Sequence, residues 1–361
     1  MGKPRFQFLA PDVRGSSGGV AVLYHCVDIL GAHGAEASVV HQTRRGGYWN
    51  ASTSGKTVYS YRLRIASLKR AGSLRAFRHG GRLLSDWIKG GGNDPAVFRD
   101  SDILIVPEFL LSLAQEAFPN YRKVVFVQNS FSYLKAVDDA QQRGLDPHKG
   151  VTLSIGISET CMDALELVGA APVAHVPVGA DFDRFTFAEE KQAQMAFMPR
   201  KRRAEARLVA EALERRGQLQ GVKLIELDNM SQEEVARRMA QSMFFLSFLK
   251  HEALGFPAME AMASGCVVVG YTGGGCREYF DEDTGIPVEE DNTAALVRAA
   301  EDAIAVYRRD VHAFDDMRRR AADRVMSRYG KKRTADALVA ALRGVDLLPR
   351  ACADRPLQEA S

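Results

Sequence analysis

The chain has 361 residues, of which 46% are hydrophobic and 26% charged, and its formal net charge is +3. A chain of this length is expected to form two domains of about 150 to 180 residues each, because one core rarely grows so large. The small net charge does not indicate nucleic acid as a partner, and none is predicted. Five scattered cysteines without a CxxC pair argue against a disulfide framework or a zinc site, which favours a cytoplasmic setting. No apolar run of about 18 residues is present, so no membrane-spanning helix is predicted.

Short apolar runs alternate with helix-like patterns along the chain. In order they are "RFQFLA", "EASVVH", "DILIVPE", "KVVFVQN", "LSIGIS" and "VAHVPVG", then "QMAFMP", "VKLIEL", "MFFLSF", "CVVVGY" and "GIPVE". This alternation is typical of βαβ units with parallel sheets, and it occurs twice. The predicted fold class is therefore α/β, with two Rossmann-like, doubly wound domains.

The stretch "HVPVGADFDRFTF", residues 175–187, separates the two series and contains the Pro, Gly and Asp residues of a hinge. We predict an N-terminal domain over 1–180 and a C-terminal domain over 186–330. A C-terminal helix over 331–346 is expected to cross back and pack on the N-terminal domain. The tail 347–361 has little to bury and is expected to fray.

The stretch "HEALGFPAMEAMASGCVVVG", residues 251–270, places Glu252 and Glu260 on either side of Pro257. Proline suits the first turn of a helix, so Glu260 is expected in that turn. Gly255 allows backbone amides to approach a ligand, and the N–H groups at a helix start favour phosphate. Carboxylates beside such a site are suited to sugar hydroxyls. The pattern predicts a sugar-nucleotide site. Taken alone, the two carboxylates are also explained if Glu260 only complements the helix dipole and Glu252 is a solvated loop residue.

The residues that follow resemble the C-terminal signature of the retaining, family 4 (group 1) type glycosyltransferases of the GT-B fold. That signature runs approximately E-G-F-G-x-P-x-x-E-A-M-A-x-G-x-P-V-V, then G-G-x-x-E. The matching or nearly matching positions are Glu252, Gly255, Phe256, Pro257, Glu260, Ala261, Met262, Ala263, Gly265, Val268, Val269, Gly274, Gly275 and Glu278. The sequence departs from the signature at Ala253 and at Cys266-Val267, where no proline precedes the valines, and neither change removes a polar group.

The resemblance implies a function. It implies transfer of a sugar from a nucleotide-diphosphate sugar to a hydroxyl acceptor with retention of configuration, as in polysaccharide biosynthesis, without metal or other cofactor. Glu252 would contact the transferred sugar and Glu260 the nucleotide ribose, while amides of Leu254, Gly255 and Phe256 would contact phosphate or sugar. The C-terminal domain would bind the donor in a cleft facing the N-terminal domain, which would receive a glycan or lipid-linked acceptor.

The basic stretch "PRKRRAEAR" follows the strand "QMAFM" directly. In the family, an Arg and a Lys at this point bind the donor diphosphate, and Arg200 matches the first of them. The spacing leaves the second cation open between Lys201 and Arg203. A basic helix start is the structural alternative, but like charges at the positive end of a helix are unfavourable without an anion.

Two N-terminal motifs are weaker. "GSSGGVAV" opens an amphipathic helix, and Gly18 and Gly19 match the family's Gly-Gly loop over the donor phosphates. "VFVQNSFSYL" places Gln128 and Asn129 after a strand, where many relatives have a His. These two residues are predicted to contact the donor or to be turn residues.

The segment 62–89 is rich in Lys and Arg with interleaved leucines and aromatic residues. It is predicted either to lie on an anionic membrane surface, peripheral to the inner face of the membrane, or to be a solvated basic helix pair.

Three other functions are compatible with parts of the sequence to different degrees. A GT-B scaffold that binds nucleotide sugar without turnover, and a nucleotide-sugar epimerase of the same architecture, both remain alternatives. "NASTSGKT", residues 50–57, resembles a nucleoside triphosphate-binding P-loop, but Asn50 replaces its first glycine and no apolar strand precedes it.

Overall fold

The computed structural model describes residues 5–13, 17–43, 56–70 and 98–349. The strands are β1 (Arg5–Leu9), β2 (Glu36–His41), β3 (Lys56–Tyr59), β4 (Ile103–Pro107), β5 (Arg122–Val127), β6 (Val151–Gly156), β7 (Val173–His175), β8 (Gln192–Phe197), β9 (Lys223–Glu226), β10 (Ser242–Phe248), β11 (Val267–Tyr271) and β12 (Gly285–Val288). The α-helices are α1 (Gly18–Ala32), α2 (Tyr61–Arg70), α3 (Leu111–Ala117), α4 (Ser130–Gln142), α5 (Glu159–Leu167), α6 (Arg203–Arg215), α7 (Gln232–Gln241), α8 (Phe256–Ala263), α9 (Thr293–Arg309), α10 (Asp315–Tyr329) and α11 (Lys331–Gly344). One-turn 3-10 helices cover Glu108–Leu110 and Gly275–Glu278.

The chain divides into two compact units. Unit 1 comprises Met1–Gly156, Met162–Val176 and Ala335–Ser361, and unit 2 comprises Ile157–Cys161 and Pro177–Thr334. Each unit contains one parallel sheet, which confirms the predicted α/β class with two Rossmann-like sheets. None of the helices in the described ranges is long and apolar enough to cross a membrane.

The sheet of unit 1 has the order β3-β2-β1-β4-β5-β6-β7 among the described strands, and its paired strands are parallel. Its central strand β4, "ILIVP", is buried along its whole length, as expected for a strand covered on both faces. The strand order reverses between β1 and β4. In open sheets of this kind, ligands bind outside the carboxyl ends of the strands at such a topological switch point.

The sheet of unit 2 has the order β12-β11-β10-β8-β9, again with parallel pairs in the described residues. Strand β10 is fully buried and lies between β8 and β11. Here the order reverses between β8 and β10. The loops that follow β8 and β10 therefore meet at the switch point of unit 2.

Two cations, the partly buried Lys191 and the buried Arg318, fix helix α8 to its surroundings. The Lys191 ammonium donates hydrogen bonds to the carbonyls of Met239, Ala240 and Ser264 at the ends of α7 and α8. The Arg318 guanidinium, on α10, donates to the carbonyls of Gly265, Ala188 and Glu189. Carbonyls at helix ends have no partner inside the helix, so these side chains satisfy groups that burial would otherwise leave unpaired. Helix α8, which contains Glu260, is thereby held at its C-terminal end.

The structure differs from the sequence-based expectation at two local points. Strand β3 was not predicted, because this short edge strand is half exposed and lacks a buried apolar run. It begins at Lys56, where a P-loop would require the start of a helix. The prediction that Glu260 lies in the first helical turn is wrong: α8 begins at Phe256, because Gly255 adopts the left-handed conformation before it, and Glu260 falls in the next turn.

Candidate functional site

The Glu252 loop is joined to the glycine loop that follows β11. The Glu252 N–H donates to the Gly273 carbonyl at 2.9 Å, and the Glu252 carbonyl accepts from the Gly275 N–H at 3.0 Å. A Cβ at position 275 would lie 2.4 Å from the Glu252 carbonyl oxygen, so only glycine fits there. The glycines of "YTGGG" thus allow two loops to pair as a short parallel bridge. This pairing fixes the backbone from which the Glu252 side chain projects.

The two loops at the unit 2 switch point bring opposite charges together. Lys201, in the loop after β8, places its ammonium 2.5 Å from the Glu252 carboxylate. Both side chains are partly exposed, at 40% and 20%. An ion pair at such exposure contributes only about 0 to 1 kcal/mol, so a ligand with better complementarity can displace it. A phosphate would suit Lys201 and a sugar hydroxyl would suit Glu252.

The other predicted cations have different surroundings. Arg200 is exposed and forms no ion pair with any described residue. Arg203 forms an ion pair with Asp228, with its Nη2 2.8 Å from the carboxylate oxygen. Among the three predicted cations, Lys201 is therefore the one that lies against Glu252, whereas Arg203 is already engaged by a carboxylate on another loop.

Arg202, which the sequence reading passed over, is the buried cation of this stretch. Its guanidinium lies over the Tyr271 ring, 4.7 Å from the centroid, and forms ion pairs with Glu205, Glu290 and Asp291. No sequence signal separates Arg202 from the cations next to it, because all of them stand in one basic stretch. Burial with three carboxylates makes Arg202 a residue that organises the loops rather than one that meets an anionic ligand.

One of those carboxylates, Glu290, also contacts the glycine loop. Glu290 pairs with Arg202 at 3.3 Å through one oxygen. Its other oxygen accepts the Gly273 N–H at 2.7 Å. Since Gly273 also holds Glu252, Arg202 and Glu290 position the candidate catalytic loop without being part of its exposed face.

The start of helix α8 presents unused backbone donors. The N–H groups of Leu254, Gly255 and Phe256 donate no hydrogen bond to another described residue. Gly255 is required at this point, because a Cβ would lie 2.6 Å from the Cys276 sulfur. The Tyr279 hydroxyl donates to the Leu254 carbonyl at 2.5 Å and holds the turn in place. N–H groups at a helix start favour an anion through both hydrogen bonding and the helix dipole.

Glu260 is half-buried on α8, and burial raises the pKa of its carboxyl to about 8, although Arg184 opposes the shift. A carboxyl with a raised pKa exchanges a proton near neutral pH. Its charged form can accept hydrogen bonds from the hydroxyls of a bound ligand, and its neutral form can also donate one to them.

The Glu at the end of the glycine motif has a structural role in unit 2. Glu278 accepts the Glu159 N–H at 2.8 Å and the Tyr329 hydroxyl at 2.5 Å. These bonds join the start of α5 to the end of α10. The signature position Glu278 thus ties together elements of unit 2.

The predicted residues of unit 1 form a separate group at its switch point. Helix α1 opens at Gly18, and a Cβ on Gly19 would lie 3.2 Å from the Gln128 side-chain oxygen. Asn129 caps α4 by accepting the Ser132 N–H at 2.9 Å. The structural alternative for Asn129 is therefore supported by its hydrogen bond, while Gln128 has a buried Nε2 without a partner in the described part of the chain.

The structure adds Glu108, which the sequence reading did not select. This residue follows β4 directly, is 2% exposed, and accepts the Gln128 N–H at 3.0 Å. Burial raises the pKa of its carboxyl to about 7, against the opposing effect of the Gln128 N–H. The available sequence signal was a carboxylate placed immediately after the fully apolar run "ILIVP".

Two other predictions concern the basic segment 62–89 and the absence of a metal requirement. Of the basic segment 62–89, residues 71–89 lie outside the described residues. Within α2, Arg70 is engaged inside unit 1, where it pairs with Glu116 and Asp139 at 3.0 Å each. No group of three or more His, Cys, Asp or Glu side chains suited to a metal occurs among the described residues, and metal independence stays a prediction.

The sequence is similar to known glycosyltransferases. Residues 189–305 match the family model described as Glycosyl transferases group 1. The Alpha-1,6-glucosyltransferase of Actinobacillus pleuropneumoniae serotype 7 (strain AP76) is 29% identical to this chain over 188 residues. That match covers 50% of this chain and 56% of the relative, so the chain spans about half the length of the curated relative it matches.

Solved structures with the same fold cover nearly the whole chain. Sucrose-phosphate synthase from Thermosynechococcus elongatus has a TM-score of 0.65 at 15% identity, covering 95% of this chain and 99% of its own. Anabaena HepE in complex with UDP and glucose has a TM-score of 0.62 at 12% identity, covering 94% and 100%. S. aureus TarM, as a variant in complex with Fondaparinux, alpha-GlcNAc-glycerol and UDP, has a TM-score of 0.62 at 9% identity, covering 94% and 99%. Residues 189–305 therefore match the group 1 glycosyltransferases, and the chain that contains them has the GT-B fold, as its sequence signature predicts.

Proposed function

We propose that this protein is a retaining glycosyltransferase that moves a sugar from a UDP-sugar to a hydroxyl of a glycan or lipid-linked acceptor, without a metal ion. The observation that carries the proposal is the unit 2 switch point. There Lys201, in the loop after β8, pairs with Glu252, in the loop that leads from β10 to the unused N–H groups at the start of α8. A sugar diphosphate requires a cation and amide N–H donors for its phosphates, and a carboxylate can accept hydrogen bonds from its sugar hydroxyls.

The choice of UDP rests on similar proteins. HepE and TarM, which share the fold, were each solved with UDP. The curated relative is an Alpha-1,6-glucosyltransferase, so UDP-glucose is the first donor to test. An acceptor that contains sugar is consistent with the glycan in the TarM complex.

The proposed chemistry is electrostatic. Arg200, Lys201 and the N–H groups of residues 254–256 would neutralise the diphosphate as negative charge develops on the leaving oxygen. Glu252 would accept hydrogen bonds from the transferred sugar, and Glu260 from the ribose hydroxyls. With donor and acceptor held together, the leaving phosphate oxygen can take the acceptor proton on the same face, and configuration at the anomeric carbon is retained.

The first experiment is thermal unfolding with UDP-, GDP-, dTDP- and ADP-glucose in EDTA, for the native chain and for Glu260→Ala. A ligand that binds the folded state raises the melting temperature. We expect stabilisation by UDP-glucose, and we expect Glu260→Ala to lose it. Release of UDP, and the anomeric configuration of the product by NMR, then test transfer and retention. Stabilisation without UDP release would instead indicate an inert scaffold, and an isomerised nucleotide sugar would indicate an epimerase.

A further inference from the structure

The Lys201–Glu252 ion pair joins two groups that the proposed donor chemistry uses separately. The Lys201 ammonium, in the loop after β8, lies 2.5 Å from the Glu252 carboxylate, in the loop after β10. A diphosphate requires the ammonium, and sugar hydroxyls require the carboxylate. Each group is the other's partner, so a ligand that binds Lys201 competes with Glu252 for it.

Lys201 has a second contact on the same loop. Its Nζ atom donates a hydrogen bond to the Lys250 carbonyl at 3.4 Å, two residues before Glu252 in the chain. An ammonium has three N–H donors and no acceptor, so it can bind a carbonyl and a carboxylate together. Both contacts direct the Lys201 side chain towards the loop after β10.

Glu252 is the more fixed member of the pair. Its N–H donates to the Gly273 carbonyl, and its carbonyl accepts the Gly275 N–H. A Cβ on Gly273 would lie 3.1 Å from the Glu252 Cβ, so the side chain is also held close to the glycine loop. Its exposure is 20%, against 40% for Lys201, which has a flexible four-carbon stem. We therefore expect Lys201 to be the partner that moves when a ligand separates the pair.

The neighbouring cation differs in this respect. Arg200 is exposed and forms no ion pair with any described residue. It can bind a phosphate without giving up a partner, whereas Lys201 must leave a carboxylate to do so. Of these two adjacent cations, therefore, only Lys201 binds phosphate at the expense of Glu252.

The competition has opposite consequences for two related ligands. A nucleoside diphosphate that draws Lys201 away leaves the Glu252 carboxylate without its cation and near a phosphate of the same charge. A nucleoside-diphosphate sugar also draws Lys201 away, but it brings hydroxyls that donate hydrogen bonds to the carboxylate. The same carboxylate thus opposes the first ligand and favours the second.

We propose that Glu252 discriminates the sugar donor from the released nucleotide, because it competes with the diphosphate of UDP for Lys201 and is compensated only by sugar hydroxyls. The proposal rests on the proposed function, which assigns a UDP-sugar to this site. It deepens that function by giving a reason for product release. Once the sugar has been transferred, Glu252 has lost its hydroxyl partners, and the return of Lys201 to Glu252 weakens the hold on UDP.

Isothermal titration calorimetry tests the proposal on the full chain, in EDTA and without acceptor. The probes are UDP and UDP-glucose. Glu252→Gln removes the competitor for Lys201, so it should tighten UDP binding about threefold, within the strength of a partly exposed ion pair. It should weaken UDP-glucose binding about tenfold, because a charge-assisted hydrogen bond to the sugar is lost.

A second background separates the ion pair from simple charge repulsion. In Lys201→Met there is no ammonium to compete for, so adding Glu252→Gln should no longer tighten UDP binding. This double-mutant cycle isolates the interaction between the two side chains. Glu282→Gln makes the same change at an exposed residue of unit 2 and should leave both affinities unchanged. Arg200→Met should weaken UDP and UDP-glucose by the same factor.

The outcomes distinguish this inference from the proposed function. Unchanged or weaker UDP binding in Glu252→Gln would overturn the inference and leave the donor assignment intact. Equal tightening of UDP in the native and Lys201→Met backgrounds would also overturn it, because repulsion by the carboxylate would then suffice. Failure of the native chain to bind either ligand would instead remove the proposed UDP-sugar donor, and the inference with it.

Discussion

The two units reverse strand order in the same way, but they place opposite chemistry at the point of reversal. In unit 2, the Glu252 carboxylate is partly exposed and paired with Lys201. In unit 1, Glu108 is buried, forms no ion pair with any described residue, and accepts the Gln128 N–H. The topology supplies a location for a ligand, and the side chains that end each strand decide which ligand fits. A charged diphosphate would suit the first arrangement, whereas the described residues at Glu108 offer such an anion no ion pair.

Substitution of Glu252 should have the largest effect. Glu252→Gln keeps the backbone bridge to the glycine loop but removes the charge that we assign to the sugar hydroxyls. Loss of one preorganised transition-state contact typically costs roughly 100-fold to 1000-fold in turnover. Steady-state UDP release measures it, and a melting temperature near that of the native chain shows that the fold is kept. Near-normal turnover would remove Glu252 from the site.

The two candidate second cations can be separated next. Lys201→Met should lower kcat/KM by roughly 100-fold, because it removes a positive charge from the leaving diphosphate. Arg203→Met is the matched control, and its effect should stay below about threefold, since Arg203 already pairs with Asp228. If the two variants exchange these effects, the second phosphate ligand is Arg203.

The buried Arg202, which supports the unit 2 site, should contribute to the free energy of unfolding. Arg202→Met leaves Glu205 and Glu290 without their shared cation, and removing one partner of a buried ion pair costs about 3 kcal/mol. Urea unfolding measures this loss. The partly exposed Arg203→Met variant should change the free energy of unfolding by less than about 1 kcal/mol. Equal losses would mean that burial of Arg202 contributes nothing specific.

The cation-free carboxyl of unit 1 should make stability depend on pH. The pKa of Glu108 is raised from 4.5 to about 7, so the folded state binds a proton that the unfolded state has lost between these values. Stability is therefore highest below about pH 4.5 and falls as pH rises to about 7, by at most about 3 kcal/mol. Glu108→Gln lacks this titration.

The measurement is the difference in unfolding free energy between Glu108→Gln and the native chain from pH 4.5 to pH 8. The difference isolates Glu108 because Glu260, whose pKa is also raised, titrates in both proteins. We expect the native chain to lose stability relative to the variant as pH rises. A difference that does not vary with pH would mean that Glu108 is charged in the folded state across this range.

Much of the fold was predictable because its signals are local. Each apolar run quoted from the sequence coincides with a strand, and the strands at the middle of the two sheets, β4 and β10, are buried along their whole length. Strand β3 was missed because an exposed edge strand lacks that signal. Glu260 was predicted one turn too early, because the packing of Cys276 and Leu249 against Gly255, which precedes α8, is a tertiary contact that the motif does not show.

The sequence alone determined the two-sheet α/β architecture, the group 1 signature in unit 2, and the candidate residues at the ends of strands. These features follow from the alternation of apolar runs with helix-like patterns and from motifs contained in a few consecutive residues. Only the tertiary structure decided that Lys201 meets Glu252, that Arg202 is buried among carboxylates, and that Glu108 is enclosed beside Gln128. Each of those facts joins loops from different strands. Their contact depends on strand order and on burial, which residue types at local spacing do not encode.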